Sequence, residues 1–116
     1  MNQIKYYVIT FFIFALISPV AALDIKIGDK FHITGCENGT LVVPVVNMWN
    51  KPGNAANVIG RLSGEGREDR GLKCQGARVK LLEVKNVNGR IFLKIKSLVN
   101  LKEGWITDSF VGKKIQ

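Results

Sequence analysis

Few residues in this chain could do chemistry. His32 is the only histidine and the one side chain whose ordinary pKa suits a general base near neutral pH. It alternates with Phe31 and Ile33 in a strand-like run. A catalytic role would also need a nucleophile and an orienting partner, and neither is evident in the sequence. The carboxylates Glu65, Glu68 and Asp69 share one segment with Arg67 and Arg70, a pattern that reads as mutual screening in a solvated loop. The glycines of Gly64-Glu65-Gly66 neither follow a clear strand nor open a helix, so they form no phosphate cradle. We therefore expect no enzyme: no catalytic residue, metal ligand set or cofactor is assigned.

The remaining reactive pair is Cys36 and Cys74, and its meaning depends on compartment. From Tyr6 to Ile17 the chain is almost purely apolar, preceded by Lys5 and followed by Ser18, Pro19 and Val20-Ala21-Ala22. A positive start, a short apolar run and small residues at the −3 and −1 positions make a secretory signal peptide over residues 1–22. The run is too short to span a bilayer, which argues against an uncleaved anchor, and no cysteine follows it to carry a lipid. The expected product is an exported chain, periplasmic or secreted, with no stable membrane span after cleavage. An oxidising compartment and an even cysteine count favour a Cys36–Cys74 disulfide. Free thiols or half of a metal site are the rivals; a metal site would require further ligands. The bond would close a 38-residue loop, worth roughly 3 to 4 kcal/mol in chain entropy.

Residues 23–116 carry sixteen basic and nine acidic side chains, a formal charge of +7. That balance favours anionic surfaces such as cell-wall polymers or lipid headgroups, and it also serves solubility. About 94 residues make one domain.

The elements that must position these groups read as short strands. Apolar residues come in alternation, and Gly, Asn and Pro punctuate them every eight to twelve residues, the pattern of an all-β sandwich or barrel. Strands are expected at 30–34, 40–48, 58–62, 77–85, 90–98 and 104–107. Asn88-Gly89 is a type I′ turn signal, and it sets Val87 opposite Arg90, Lys85 opposite Phe92, Glu83 opposite Lys94 and Leu82 opposite Ile95. One hairpin face is then apolar. The other carries Glu83, Lys85, Phe92, Lys94 and Lys96, and a one-residue slip would exchange the two. Further back Arg78 and Lys80 fall out of phase, so a bulge is expected near Leu81. Residues 63–75 read as a Gly-rich charged loop, tied down by Cys74, with Gly64 to Gly71 as its mobile tip.

From Asn47 to Gly60 (Asn47-Met48-Trp49-Asn50-Lys51-Pro52-Gly53, then Asn57-Val58-Ile59-Gly60) the chain resembles the opening of bacterial SH3 (SH3b) domains. Gly76 to Glu83 is similar to the family's second hairpin strand, and Gly104-Trp105-Ile106-Thr107-Asp108-Ser109-Phe110-Val111 to its closing strand and final turn. The resemblance covers about 40–111 and rests on the order and spacing of short motifs. Trp49 stands where the family usually has Arg, and the 63–75 loop is longer than usual.

The resemblance implies a small, partly open SH3-like β-barrel of five to six strands. Such domains attach exported proteins to the cell wall by binding peptidoglycan. It makes Asn47, Trp49, Lys51, Trp105 and Phe110 the candidate ligand-binding residues, with Trp49 foremost because it precedes the Asn50–Gly53 turn, where such barrels place groove-forming loops. Trp105 has core packing as its competing role. Phe92 among lysines could hold an anionic polymer, but export argues against a nucleic-acid partner. The expected function is a non-catalytic module binding peptidoglycan or another anionic cell-envelope polymer. The alternative is a protein–protein module with a partner in the envelope.

Overall fold

The structure, a computed structural model, describes residues 24–53, 56–66, 71 and 73–116. The expected signal segment 1–22 and the loop residues Arg67, Glu68, Asp69 and Arg70 lie outside the described residues. Among those described, the chain forms nine strands and no α-helix: β1 Lys30–Ile33, β2 Cys36–Glu37, β3 Thr40–Leu41, β4 Val45–Trp49, β5 Val58–Ser63, β6 Arg78–Val87, β7 Arg90–Ser97, β8 Glu103–Thr107 and β9 Val111–Ile115. A single 3-10 turn, Asp108–Phe110, links the last two. The fold is all-β as expected, with more and shorter strands than the five to six anticipated.

Seven strands make one antiparallel sheet in the order β5-β4-β8-β7-β6-β1-β9. The sheet curls until its β5 edge returns to the start of β6. There the Ala77 N–H donates to the Ser63 carbonyl at 2.8 Å, while Ile33 N–H donates to Ala77 O and Gly76 N–H to Ile33 O, both at 2.8 Å. On the other side of the same junction Gly35 N–H donates to Gly64 O and Gly64 N–H to Pro44 O, both at 2.9 Å. One end of a β-barrel-like ring, β5-β4-β8-β7-β6, is thereby closed by main-chain hydrogen bonds. Three glycines permit it. A Cβ on Gly35 would fall on the Val43 carbonyl, one on Gly76 on the Ser63 carbonyl, and one on Gly64 within 2.7 Å of Val43 O.

Gly64 is therefore a buried anchor, and the expected mobile tip does not begin there. The Cys36–Cys74 disulfide is present, with Cα atoms 5.7 Å apart, and it staples β2 to the segment leading into Gly76. The expected single strand over 40–48 is broken. Val42 and Val43 both donate to Gly35 O, and Pro44 has no N–H for a ladder, so pairing lapses between β3 and β4. Asn38-Gly39 forms a tight turn of its own, both residues at positive φ, pairing Glu37 with Thr40 and Cys36 with Leu41.

The β6–β7 hairpin follows the expected register from Val87↔Arg90 to Glu83↔Lys94. Asn88 (φ 53°) and Gly89 (φ 84°) take the left-handed conformations of a I′ turn, and Asn86 Oδ1 accepts the Gly89 N–H at 2.9 Å. One pairing differs: Ile95 faces Leu81, and Leu82 is the bulged residue. The bulge shifts the inward set from Val84 to Leu81 and Val79, which keeps both ends of a ten-residue strand on the core. Leu93, Ile95, Phe31, Ile33, Val46, Met48, Leu81 and Ile106 fill the interior. β9, which was not anticipated, completes the sheet beside β1. There Lys114 Nζ pairs with Asp29 at 3.2 Å, and Asp29 Oδ2 also accepts the Lys26 backbone N–H at 2.9 Å.

Two outcomes are expected. Gly76→Ala must move either Ser63 or Ile33 backbone, and should lower stability by about 2 kcal/mol or more, measured by chemical denaturation. The Asp29 carboxyl is held below its ordinary value of 3.8, first by the Lys26 backbone N–H and then by Lys114, with partial desolvation opposing. A lowered folded pKa gives stabilisation that is complete above the ordinary value and lost as pH falls through the lowered one. Melting temperature followed from about pH 5 to about pH 2 should therefore fall less steeply in Asp29→Asn than in the parent.

Candidate functional site: an aromatic and cationic cleft on the outer face

Register fixes which side chains share the outer face of the sheet. Leu93 and Ile95 point into the core, and their partners on β8 are Ile106 and Gly104. Trp105, between them, therefore faces outward opposite Lys94, and Thr107 faces outward opposite Phe92. On its other side Trp105 is paired with Trp49 of β4, so both tryptophans lie on one face. Trp105 is only 7% exposed yet does not belong to the core cluster. Gly104, Trp105 and Ile106 are buried in succession, which marks β8 as covered on both faces. The competing role expected for Trp105, packing, is where it sits, though on the outer side of the sheet.

Beside this pair a cleft of about 580 Å³ opens at the hairpin end of the sheet. Its walls are Trp49, Phe92 and Phe110, its cations Lys51 and Arg90, and its rim Gly53, Ala56, Val87, Asn88, Thr107 and Ser109. Three of the five candidate binding residues, Trp49, Lys51 and Phe110, converge there. Asn47 and Trp105 do not line it: Asn47 is exposed and pairs with Arg61 on the β4–β5 ladder. Each wall is fixed by local structure. Asn50 holds the Lys51–Gly53 turn, its N–H donating to Asn57 O and its Oδ1 accepting the Asn57 N–H, both at 2.9 Å. Gly53 supplies the positive φ (104°) that the turn requires. The Phe110 carbonyl accepts the Thr34 N–H at 3.0 Å, and its ring also packs against the core cluster. The Thr107 and Ser109 hydroxyls hydrogen-bond each other at 2.8 Å.

Arg90, Thr107 and Ser109 had no individual signal in the sequence, and Asn88 had one only as a turn residue. Phe92 had one, as the single aromatic on the charged hairpin face, but nothing tied it to Trp49. None of the lining residues is acidic among the described residues, so the cleft offers ring faces and positive charge together. That combination suits a ligand with a flat or apolar body and a carboxylate or phosphate. His32 stands apart, half-buried on β1. Its Nδ1 lies 3.0 Å from Gly76 O, a pure acceptor, so this nitrogen carries the proton and ties β1 to the closure. Among the described residues no three His, Cys, Asp or Glu side chains group as a metal site, and no helix is long and apolar enough to cross a membrane.

Compared with known proteins, the chain matches no family model, no curated protein and no solved structure.

Proposed function

We propose that this chain is an exported, non-catalytic binding module of the bacterial SH3 type, and that it holds peptidoglycan, or another anionic cell-envelope polymer, in the cleft beside Trp49. The observation that carries this reading is the convergence of Trp49, Lys51 and Phe110 with Phe92 and Arg90 around one cleft that no carboxylate lines among the described residues. Aromatic walls supply rigid contact area to the apolar faces of sugars or peptide side chains. Lys51 and Arg90 meet the carboxylates that such polymers carry, Arg in two-point geometry. The sheet register and turn hydrogen bonds hold these groups before any ligand arrives, which limits the ordering cost of binding. Export is supported by the character of residues 1–22, and the disulfide is consistent with an oxidising environment.

Co-sedimentation of the mature, oxidised protein with purified peptidoglycan sacculi tests the proposal. Binding should persist at raised salt, and Trp49→Ala should weaken it at least about tenfold. Arg90→Gln should weaken it mainly at low salt, because screening already discounts that contribution at high salt. Binding confined to low salt and indifferent to Trp49→Ala would reduce the protein to a cationic surface. An absence of binding at either salt would move the proposal to a protein partner in the envelope.

A further inference from the structure

The turn between β7 and β8, Leu98–Lys102, presents apolar side chains to water by construction. Val99 is 78% and Leu101 62% exposed, two of the three most exposed large aliphatic residues among those described. A single exposed leucine needs no explanation, but this pair is locked in place. The hydroxyl of buried Ser97 accepts the N–H groups of Val99 at 3.3 Å and Asn100 at 3.5 Å. Asn100 Oδ1 accepts the Lys102 N–H at 2.9 Å, Leu101 N–H donates to Ser97 O at 3.0 Å, and Ser97 N–H to Lys102 O at 2.9 Å. Leu101 sits at φ 62°, a left-handed conformation disfavoured for a bulky side chain. The hydrogen bonds hold it there, with its side chain outward.

The surroundings are apolar and cationic. Lys102 Nζ donates to Ile59 O at 2.9 Å, so the turn lies against edge strand β5, whose Val58 and Ile59 are also exposed. Lys96 faces outward just before the turn, opposite Lys80 on β6. The Arg78 carbonyl accepts the Leu98 N–H at 2.9 Å, so Arg78, two residues before Lys80, shares its outward face at the foot of the turn, while Lys102, opposite buried Ser97, flanks the turn on the other side. Glu103 stands opposite Lys96 on β8, and its carboxylate lies 3.8 Å from Lys94.

We propose that this turn is a docking surface for an anionic phospholipid bilayer, with Val99 and Leu101 entering the headgroup boundary and Arg78, Lys80, Lys96 and Lys102 meeting lipid phosphates. An interfacial site needs both parts, because apolar burial alone or a few charges alone bind weakly. A second copy of the chain would bring like charges together. A strand-adding peptide would find the Ile59 carbonyl already taken by Lys102, a common way of blunting an edge. A soluble polyanion would use the lysines and leave the apolar tip in water. The site is separate from the cleft, which lies at the opposite, Asn88–Gly89 end of the β6–β7 hairpin.

Co-sedimentation of the oxidised protein with vesicles of phosphatidylcholine, and of phosphatidylcholine mixed with phosphatidylglycerol, tests it. Binding should require phosphatidylglycerol and fall at least about tenfold in the double variant Val99→Ser, Leu101→Ser. Val42→Ser, a comparable apolar loss elsewhere on the surface, should leave it unchanged. A second readout does not depend on lost binding: Val99→Trp should add emission that shifts to the blue with phosphatidylglycerol vesicles. No binding to these vesicles, binding indifferent to the double variant, or no blue shift would each overturn the proposal. So would self-association in light scattering that the double variant abolishes.

Discussion

The close approach of three backbone segments at Gly35, Gly64 and Gly76 is the constraint on which the rest of the molecule depends. At this junction the end of β5, the end of β1 and the start of β6 exchange hydrogen bonds at 2.8 to 2.9 Å, with no room for a Cβ between them. A sheet of short strands has two edges and a half-buried face. Curling it until one edge meets the start of β6 gives the apolar side chains of six strands, β1 and β4 to β8, a common interior. The disulfide sits where closure is made, since Cys36 follows Gly35 and Cys74 precedes Gly76 by two residues. In a domain of this size a core alone gives modest stability, and a covalent tie across the junction reduces the unfolded chain's freedom where the fold needs it least.

Closure also accounts for the two faces of the sheet. The inner face receives Leu93, Ile95, Ile106 and Met48. Met48 lies over Gly60 and Gly104, whose missing side chains make space for it: a Cβ on either would come within 2.9 Å of the Met48 side chain. The outer face receives what alternates with these residues: Trp105 between Gly104 and Ile106, Phe92 between Ile91 and Leu93, and Trp49 after Met48. The cleft is thus the reverse side of the core packing. Side chains held on a hydrogen-bonded sheet lose little further freedom on meeting a ligand, and a binding surface can be built this way with few dedicated residues.

Local signals were legible in the sequence and long-range ones were not. The Asn88-Gly89 turn and the apolar alternation fixed five consecutive cross-strand pairs, Val87–Arg90 to Glu83–Lys94, because a slip would have turned Ile91 and Leu93 to water. The same dipeptide at Asn38-Gly39 makes a second hairpin, which passed unnoticed because its strands are only two residues long and carry no alternation. Leu81-Leu82 could place the bulge at either leucine on hydrophobicity alone. The structure chooses Leu82, since Leu81 and Val79 must reach the core together. β9 escaped notice because its Val111–Ile115 segment includes Gly112 and two lysines, tolerable beside β1 at an edge. Of the cleft, Trp49, Lys51 and Phe110 were expected as binding residues from the sequence, and the structure brings the three to one cleft without testing that role. Arg90, Thr107 and Ser109 join them only through the β7–β8 pairing, which no local pattern announces.

We propose that the outer-face cleft, and no other surface, receives an envelope polymer. This is tested most directly by titrating isotopically labelled protein with soluble peptidoglycan fragments and following backbone and indole amide resonances. Saturable shifts are expected at Trp49, Lys51, Arg90, Phe92 and Thr107 to Phe110, with the β2–β3 hairpin unmoved. Shifts that avoid those positions, or that spread evenly over the lysines and vanish with added salt, would contradict it.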